Sequence, residues 1–250
     1  MDFAPIIDHL PLYFEGLWMT IQLVALSLAC GLVLAIPLAL TAISKNRLIA
    51  ALPKAYIYFF RGTPLLIQLF LIYHGSGQFR LFFESIGIWW FFQSAYLCAL
   101  LAFSLNTAGY TAEIIRGAIE QTAFGETEAA RACGMSRGLL YRRIILPSSF
   151  RRALPAYGNE VIFMLHGSVI ASIVTIEDLL GAGRWVNSRY FVPFESFIAA
   201  GLFYLCVTFF IVWCFRFWER HWHAHLRPHE EKAQKGFAAT FLGGLTLTRG

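Results

Sequence analysis

Hydrophobic residues along this chain come in long uncharged runs separated by short polar joints, and that alternation sets the expected elements. Leu17 to Leu40 is uncharged over 24 positions, enough as a helix to cross ~30 Å of hydrocarbon. Pro37 stands near its end and can kink it. Beyond the basic joint Ser44-Lys45-Asn46-Arg47, a second apolar segment runs from Ala51 to Tyr73, interrupted by Lys54 and by Arg61-Gly62-Thr63-Pro64. Gly75-Ser76-Gly77 closes it, and Phe79 to Gly87 reads as a short amphipathic connection. A third span is expected from about Ile88 to Leu105, opening on Trp89, Trp90, Phe91 and Phe92, the aromatic cluster of a headgroup region. Asn106 to Gln121 then becomes steadily more polar. A fourth span, about Ala153 to Ile176, is unusually polar, and Glu177 to Pro193 reads as a loop containing Gly181, Gly183, Arg184 and Arg189. The fifth span, Ser196 to Phe215, is 20 residues without a charge.

Between the third and fourth spans lies a polar island, Glu128 to Pro147. Glu126 and Glu128 fall near a helix start after Gly125, where carboxylates suit the positive end of the helix dipole. Ala129, Ala130, Ala132 and Cys133 give that helix a small-residue surface, and Gly134 suits a left-handed stop. Ser136 can cap a second short helix carrying Leu139, Leu140, Ile144 and Ile145 beside Arg137, Arg142 and Arg143. Pro147 ends that pattern or begins the next element. The expectation is a helix–turn–helix whose alanine side lets another protein's backbone come close.

Composition narrows the class. Of 250 residues 58% are hydrophobic and 14% charged, against about 25% charged in soluble domains, so this is a membrane composition. The net charge of +5 is spread over several loops and is no nucleic-acid signature. Cys30, Cys98, Cys133, Cys206 and Cys214 include no CxxC pair, which favours buried small hydrophobes over a disulfide or a metal cluster. His221, His225 and His229 have a spacing that can bind metal on a helix, but a solvated basic tail near anionic lipid accounts for them as well. No metal site is assigned. A G-x-x-x-x-G-K-[ST] loop is absent, so the chain has no phosphate cradle of that kind and no catalytic constellation.

Glu128-Ala129-Ala130, then Gly134, then Ile144-x-Leu146-Pro147 resembles the EAA loop of the membrane subunits of bacterial ABC importers. In that family the loop is a coupling helix that docks on a cytoplasmic ATPase. Three further stretches resemble the polar amino acid permease branch. They are Phe60-Arg61-Gly62-Thr63-Pro64-Leu65-Leu66-x-Gln68, then Asn106-Thr107-Ala108-Gly109-Tyr110-x-Ala112-Glu113-x-x-Arg116-Gly117, then Leu154-Pro155-Ala156-Tyr157-x-Asn159-Glu160. Met164-Leu165-His166 resembles the M-type subunit of histidine, lysine–arginine–ornithine and opine systems. Many relatives carry Lys-Asp-Thr-Ser where this chain has His166-Gly167-Ser168-Val169, so residue roles do not transfer directly there.

The resemblance implies an all-α membrane protein with five transmembrane helices of the type I ABC importer permease fold, in the bacterial inner membrane. With the EAA loop placed in the cytoplasm, 17 Lys and Arg fall inside and three (Arg80, Arg184, Arg189) outside. The positive-inside rule then puts the N-terminus in the periplasm and the C-terminus in the cytoplasm. The expected divisions are a periplasmic segment 1–16, a permease domain 17–217 with the coupling loop at about 122–150, and a basic tail 218–250. The resemblance also implies a second homologous permease subunit, a periplasmic binding protein and a cytoplasmic ATPase dimer. ATP and Mg would be held by that ATPase and no cofactor by this chain.

Residues for the substrate pathway are sought where polar groups enter the spans: Arg61, Thr63, Gln68, Asn106, Asn159, Glu160, His166 and Ser168. An ionisable group in a span costs ~2.5–3.5 kcal/mol on insertion scales and normally faces the bundle interior with a partner. Glu160 therefore reads either as a counter-ion for a cationic substrate or as half of a structural pair. Asn159, Phe163 and His166 follow one helical stripe with Glu160 about 100° beside it, so all are expected around one cavity. For His166 a hydrogen-bonded packing role is the competing reading. Pro64 frees backbone groups in the second span; either a substrate carboxylate meets that break or Thr63 satisfies it. Glu113 and Arg116 read as a local ion pair. An ion-coupled secondary carrier fits poorly with five dissimilar spans, and a non-transporting scaffold leaves the polar fourth span unexplained.

Overall fold

The computed structural model describes residues 3–222, and every regular element within them is helical. A short helix α1 (Ala4–Asp8) leads into α2 (Leu10–Ala42). Helix α2 starts ahead of the apolar run because Pro11 occupies its first turn, where a missing N–H leaves nothing unpaired. It continues through Pro37 to Ala42. Asn46 then caps α3 (Arg47–Gly62) by accepting from the Leu48 N–H at 3.0 Å. After the break at Thr63-Pro64 come α4 (Leu65–Tyr73), a 3-10 stretch Gly75–Phe79 and α5 (Arg80–Ser85). Helix α3 and the stretch Leu65–Ser85 meet at 103°, so the second span is bent sharply where Pro64 interrupts it.

The third span departs from the expected limits. Trp89–Gln93 is a separate short helix, α6, and Ser94 then caps α7 (Ala95–Glu120), accepting from Leu97 N–H at 3.3 Å. Residues 106–120 were expected to leave the span because they turn polar; they stay helical because that surface is buried in protein rather than lipid. Helices α8 (Phe124–Ala132) and α9 (Arg137–Leu140) follow. A π-helical turn, Tyr141–Ile145, runs from α9 straight into α10 (Leu146–Gly167), with Pro147 in its first turn. A 3-10 stretch, Ser168–Val174, ends that rod. The segment expected as a loop contains α11 (Leu179–Tyr190), capped by Asp178, whose Oδ1 accepts from the Gly181 N–H at 2.8 Å. The last helix, α12 (Pro193–Trp222), extends the fifth apolar run at both ends. Among the described residues four helices are long and apolar enough to cross a membrane, and counting the bent pair as one span gives five.

Helices α2 and α7 form the centre, packed along most of their length, with α3, α4 and α10 against α7. Small residues make this possible. Ser27, Gly31, Ala35 and Ala39 recur every fourth position on α2, and Ser104, Ala108 and Ala112 do so on α7, all buried. Such ridges let helix backbones approach closely in a bilayer, where no hydrophobic force drives helices together. One apolar core, around Leu28, Leu69, Phe103 and Leu165, lies mid-bundle. A second, around Ala39, Ile115, Leu140 and Ile145, underlies the helix–turn–helix, and a third, around Tyr13, Leu179 and Val186, holds α11 to α2 and α12.

Candidate functional site

The polar island builds the expected helix–turn–helix. Gly134 has φ +77°, and the Met135 N–H bonds back to the Ala130 carbonyl at 3.1 Å, the closure that a left-handed residue permits at a helix end. Ser136 caps α9 by accepting from Leu139 N–H at 3.4 Å. Glu128, Ala129, Gly134 and Pro147 are exposed, whereas Ala130 is 6% exposed and packs into the core with Leu140 and Ile145, flanked by half-buried Ile144 and Leu146. The motif therefore divides into a presented edge and an anchoring face. Arg152 fixes this unit to the bundle: its guanidinium donates to the Ala118 carbonyl (3.1 and 3.2 Å), Thr122 Oγ1 (2.7 Å) and Ser148 Oγ (2.6 Å). That single side chain joins the last turn of α7, the entry to α8 and the start of α10.

Above this lies an ion cluster. Arg116 chelates Glu113 through two 2.7 Å bonds and reaches Glu120 at 2.7 Å, as the local pairing predicted. Arg61 joins from α3, 3.5 Å from Glu113 and stacked over Tyr110 at 5.5 Å.

At the break in the second span the freed backbone is satisfied from within. Thr63 Oγ1 donates to the Phe59 carbonyl at 2.8 Å. Gln68, 3% exposed, brings its amide nitrogen within 3.0 Å of the Phe60 and Thr63 carbonyls, and its Oε1 accepts from Asn106 at 3.0 Å. Asn106 also donates to the Phe60 carbonyl at 3.2 Å. Thr63, Gln68 and Asn106 thus act as one staple closing the break, the second of the two readings the sequence allowed, widened from Thr63 to three side chains.

Glu160 does not share a surface with its neighbours on α10. It is 5% exposed and turned toward α7, where Thr107 Oγ1 donates to its Oε1 at 2.8 Å. Asn159, Phe163 (70% exposed) and His166 lie on the open side of the helix. The expected single cavity is therefore corrected: one helical step is enough to send Glu160 inward and Asn159 outward. His166 pairs with Thr208 at 3.2 Å, and Ser168 is fully buried, donating to the Leu165 carbonyl at 2.7 Å. No group of three or more His, Cys, Asp or Glu suited to a metal occurs among the described residues. His225 and His229 lie outside them.

The N-terminal end of α2 carries a second buried polar knot, which the sequence did not reveal. Thr20 Oγ1 donates to the Gly16 carbonyl at 2.9 Å and accepts from the Leu179 N–H at 3.1 Å, so α2 clasps the start of α11. Asp178, 1% exposed, sits there with Oδ2 unpaired, and burial pushes its carboxyl up to about 6 despite the Gly181 N–H. A cavity of about 940 Å³ opens alongside, with Glu15, Met19, Glu177, Arg184 and Asn187 in its wall.

A bundle of membrane-length helices with a bent second span and a protruding helix–turn–helix is the build of a type I ABC importer permease. The chain belongs to the family of binding-protein-dependent transport system inner membrane components, whose pattern matches residues 27–223. It is accordingly an inner-membrane permease subunit, and by its family it is not an enzyme. It is 45% identical over 211 residues to the nopaline transport system permease protein NocM of Agrobacterium fabrum, covering 84% of this chain and 88% of that one. It is 42% identical to the histidine/lysine/arginine/ornithine transport system permease protein HisM of Escherichia coli over 215 residues, 86% of this chain and 90% of that one. A crystal structure of an amino acid ABC transporter with histidines superposes with a TM-score of 0.79 at 33% identity, covering 88% of this chain and 99% of that chain. The MetNI methionine ABC transporter, at 18% identity and TM-score 0.71, shares the fold, over 88% of this chain and 99% of its own.

Proposed function

We propose that this subunit carries a polar, cationic amino acid, such as histidine, arginine, lysine or ornithine, or an opine across the inner membrane. The observation that carries this reading is Glu160, a carboxylate held inside the bundle by one hydroxyl, in a chain whose relatives are opine and basic amino acid permeases. A buried carboxylate costs ~2.5–3.5 kcal/mol to insert, and a passing guanidinium or ammonium would offset that cost. Asn159 and His166 would line the open side of the same helix, and Arg61 would offer a positive charge to the substrate carboxylate. Thr63, Gln68, Asn106 and Ser168 would keep the surrounding backbone in order.

The subunit would work with a second homologous permease, a periplasmic binding protein and a cytoplasmic ATPase dimer that binds ATP and Mg. The basic residues around the helix–turn–helix support a cytoplasmic loop, a periplasmic N-terminus with segment 1–16, and a cytoplasmic tail 218–250. Glu128, Ala129, Gly134 and Pro147 would meet the ATPase, while Ala130, Ile144 and Leu146 hold the motif on the bundle. ATPase closure would then move α8 and α9 and rock the spans between inward-open and outward-open arrangements.

Two measurements test this. Glu128→Arg and Gly134→Asp should uncouple ATP hydrolysis from uptake with the protein still in the membrane; wild-type uptake in both would sink the coupling role. Glu160→Gln in the reconstituted importer should lose cationic substrates and keep neutral ones. Uniform loss, or no loss, would return Glu160 to a packing role.

A further inference from the structure

Thr107 is fully buried on α7 and uses both branches of its side chain. The hydroxyl donates to Glu160 Oε1 at 2.8 Å. The methyl group fills the space that any side chain on Gly31 of α2 would need: a Cβ built there overlaps Thr107 Cγ2 and stands 3.2 Å from the Ser104 carbonyl. Threonine on a helix ordinarily has an easier partner, the carbonyl one turn back. Thr20, Thr41, Thr63 and Thr208 all take it, bonding Gly16, Pro37, Phe59 and Tyr204 at 2.6–2.9 Å. Thr107 instead spends its proton on a carboxylate that lies 53 positions away in sequence. The β-branch explains the difference. Rotation about χ1 moves methyl and hydroxyl together, so a methyl lodged over Gly31 fixes where the hydroxyl points.

We propose that Thr107, keyed into the notch at Gly31, is the positioning residue of the Glu160 site. It anchors Oε1 and sets the direction in which Oε2 meets a substrate cation. Glycine at position 31 is needed because no other residue leaves room for the key. This rests on Glu160 being the counter-ion, and the test separates the two ideas.

The experiment is uptake by the complete reconstituted importer, comparing arginine, ornithine and octopine with glutamine and citrulline, for Glu160→Gln, Thr107→Val, Thr107→Ser and Gly31→Ala. Valine keeps the key and removes the proton, so the bundle stays packed. The half-saturating concentration for the best cationic substrate should rise roughly ten- to a hundred-fold, the worth of a hydrogen bond to a charged group, with little change in maximal rate. Serine, which restores the hydroxyl without the methyl that aims it, should recover only part of that shift. Gly31→Ala should move it in the same direction as valine, and adding Thr107→Val to Glu160→Gln should change nothing further. A wild-type Thr107→Val beside a Glu160→Gln that has lost cations overturns the positioning role and leaves the counter-ion intact. A Glu160→Gln that keeps its cations overturns both. Equal loss of cationic and neutral uptake in Thr107→Val, unrelieved by serine, makes Thr107 a packing residue and overturns the proposal.

Discussion

Replacing Gln68 with leucine is the sharpest test of how the bent span holds its shape. Leucine keeps most of the volume and removes an amide that serves both sides of the break. The Phe60 carbonyl would still have Asn106, at 3.2 Å, but the Thr63 carbonyl would lose its Gln68 donor and Asn106 its 3.0 Å acceptor. Gln68 is 3% exposed, so water cannot substitute freely. The buried Asn106 amide left without that acceptor costs ~1–3 kcal/mol, and the carbonyl of half-buried Thr63 adds little because water can reach it, so the loss is about 2 kcal/mol. At roughly 2–4 °C per kcal/mol for a chain of this size, the melting temperature should fall by roughly 4–8 °C. The assay is thermal unfolding of the purified complex in detergent, followed by uptake from those preparations that survive. Because the staple closes backbone rather than touching substrate, the half-saturating concentration of surviving transporter should stay near wild type. An unchanged melting temperature with a raised half-saturating concentration would refute the staple and make Gln68 a substrate contact.

Other perturbations follow from the same geometry. A Cβ at Gly16 would stand 2.7 Å from the Asp178 carbonyl oxygen, so Gly16→Ala should cost ~1–3 kcal/mol by forcing α11 away from α2, read as a lower melting temperature. The unfolded chain ionises Asp178 from about 3.8, while the fold keeps its proton to about 6. Stability should therefore decline as pH rises between those values and level off above them. Asp178→Asn, which keeps an oxygen for the Gly181 cap, should flatten that decline and gain about 3 kcal/mol at pH 7 by the 1.36 kcal/mol worth of each pKa unit; an unchanged pH profile in melting experiments would count against it. Arg152→Met should leave the helices formed yet lower transport per ATP hydrolysed, because α7, α8 and α10 lose their common tie. Retained coupling in a vesicle assay would show that apolar packing suffices.

What could be read in advance was whatever is encoded locally. The turn at Gly134 and the cap at Ser136 are chosen by residues within a few positions, and both stand where expected. The break at Pro64 was legible for the same reason. Helix α11 was not, because Gly181 and Gly183 argue for a loop, and what decides the matter is long-range. The Leu179 N–H bonds Thr20 across 159 positions, and Tyr13 reaches the Ser196 carbonyl at 3.1 Å. The length of α7 is not legible locally, because polar residues at the end of an apolar run ordinarily mark the membrane's edge, whereas Asn106, Thr107 and Thr111 are buried against protein. Glu160 was conspicuous as a charge in a span. Its partner was not, since nothing in the order of residues tells which of the buried threonines forgoes its own backbone.

The uninterrupted passage from α9 through the π turn into α10 has a consequence for how this chain tolerates change. Arg137 to Val174 is one rod of 38 residues, so the helix–turn–helix and Glu160 are held in rotational phase as well as at a distance. Each residue added to a helix turns everything beyond it by about 100° and advances it by about 1.5 Å. A single insertion between Pro147 and Glu160 would therefore swing the carboxylate off Thr107 to the place Val161 now occupies and bring Asn159 round to face Thr107, with no loop to absorb the twist. Insertions elsewhere, in the joints around Lys45 or Gly77, carry no such penalty. The spacing between the two sites behaves as a gear ratio that the protein is not free to vary.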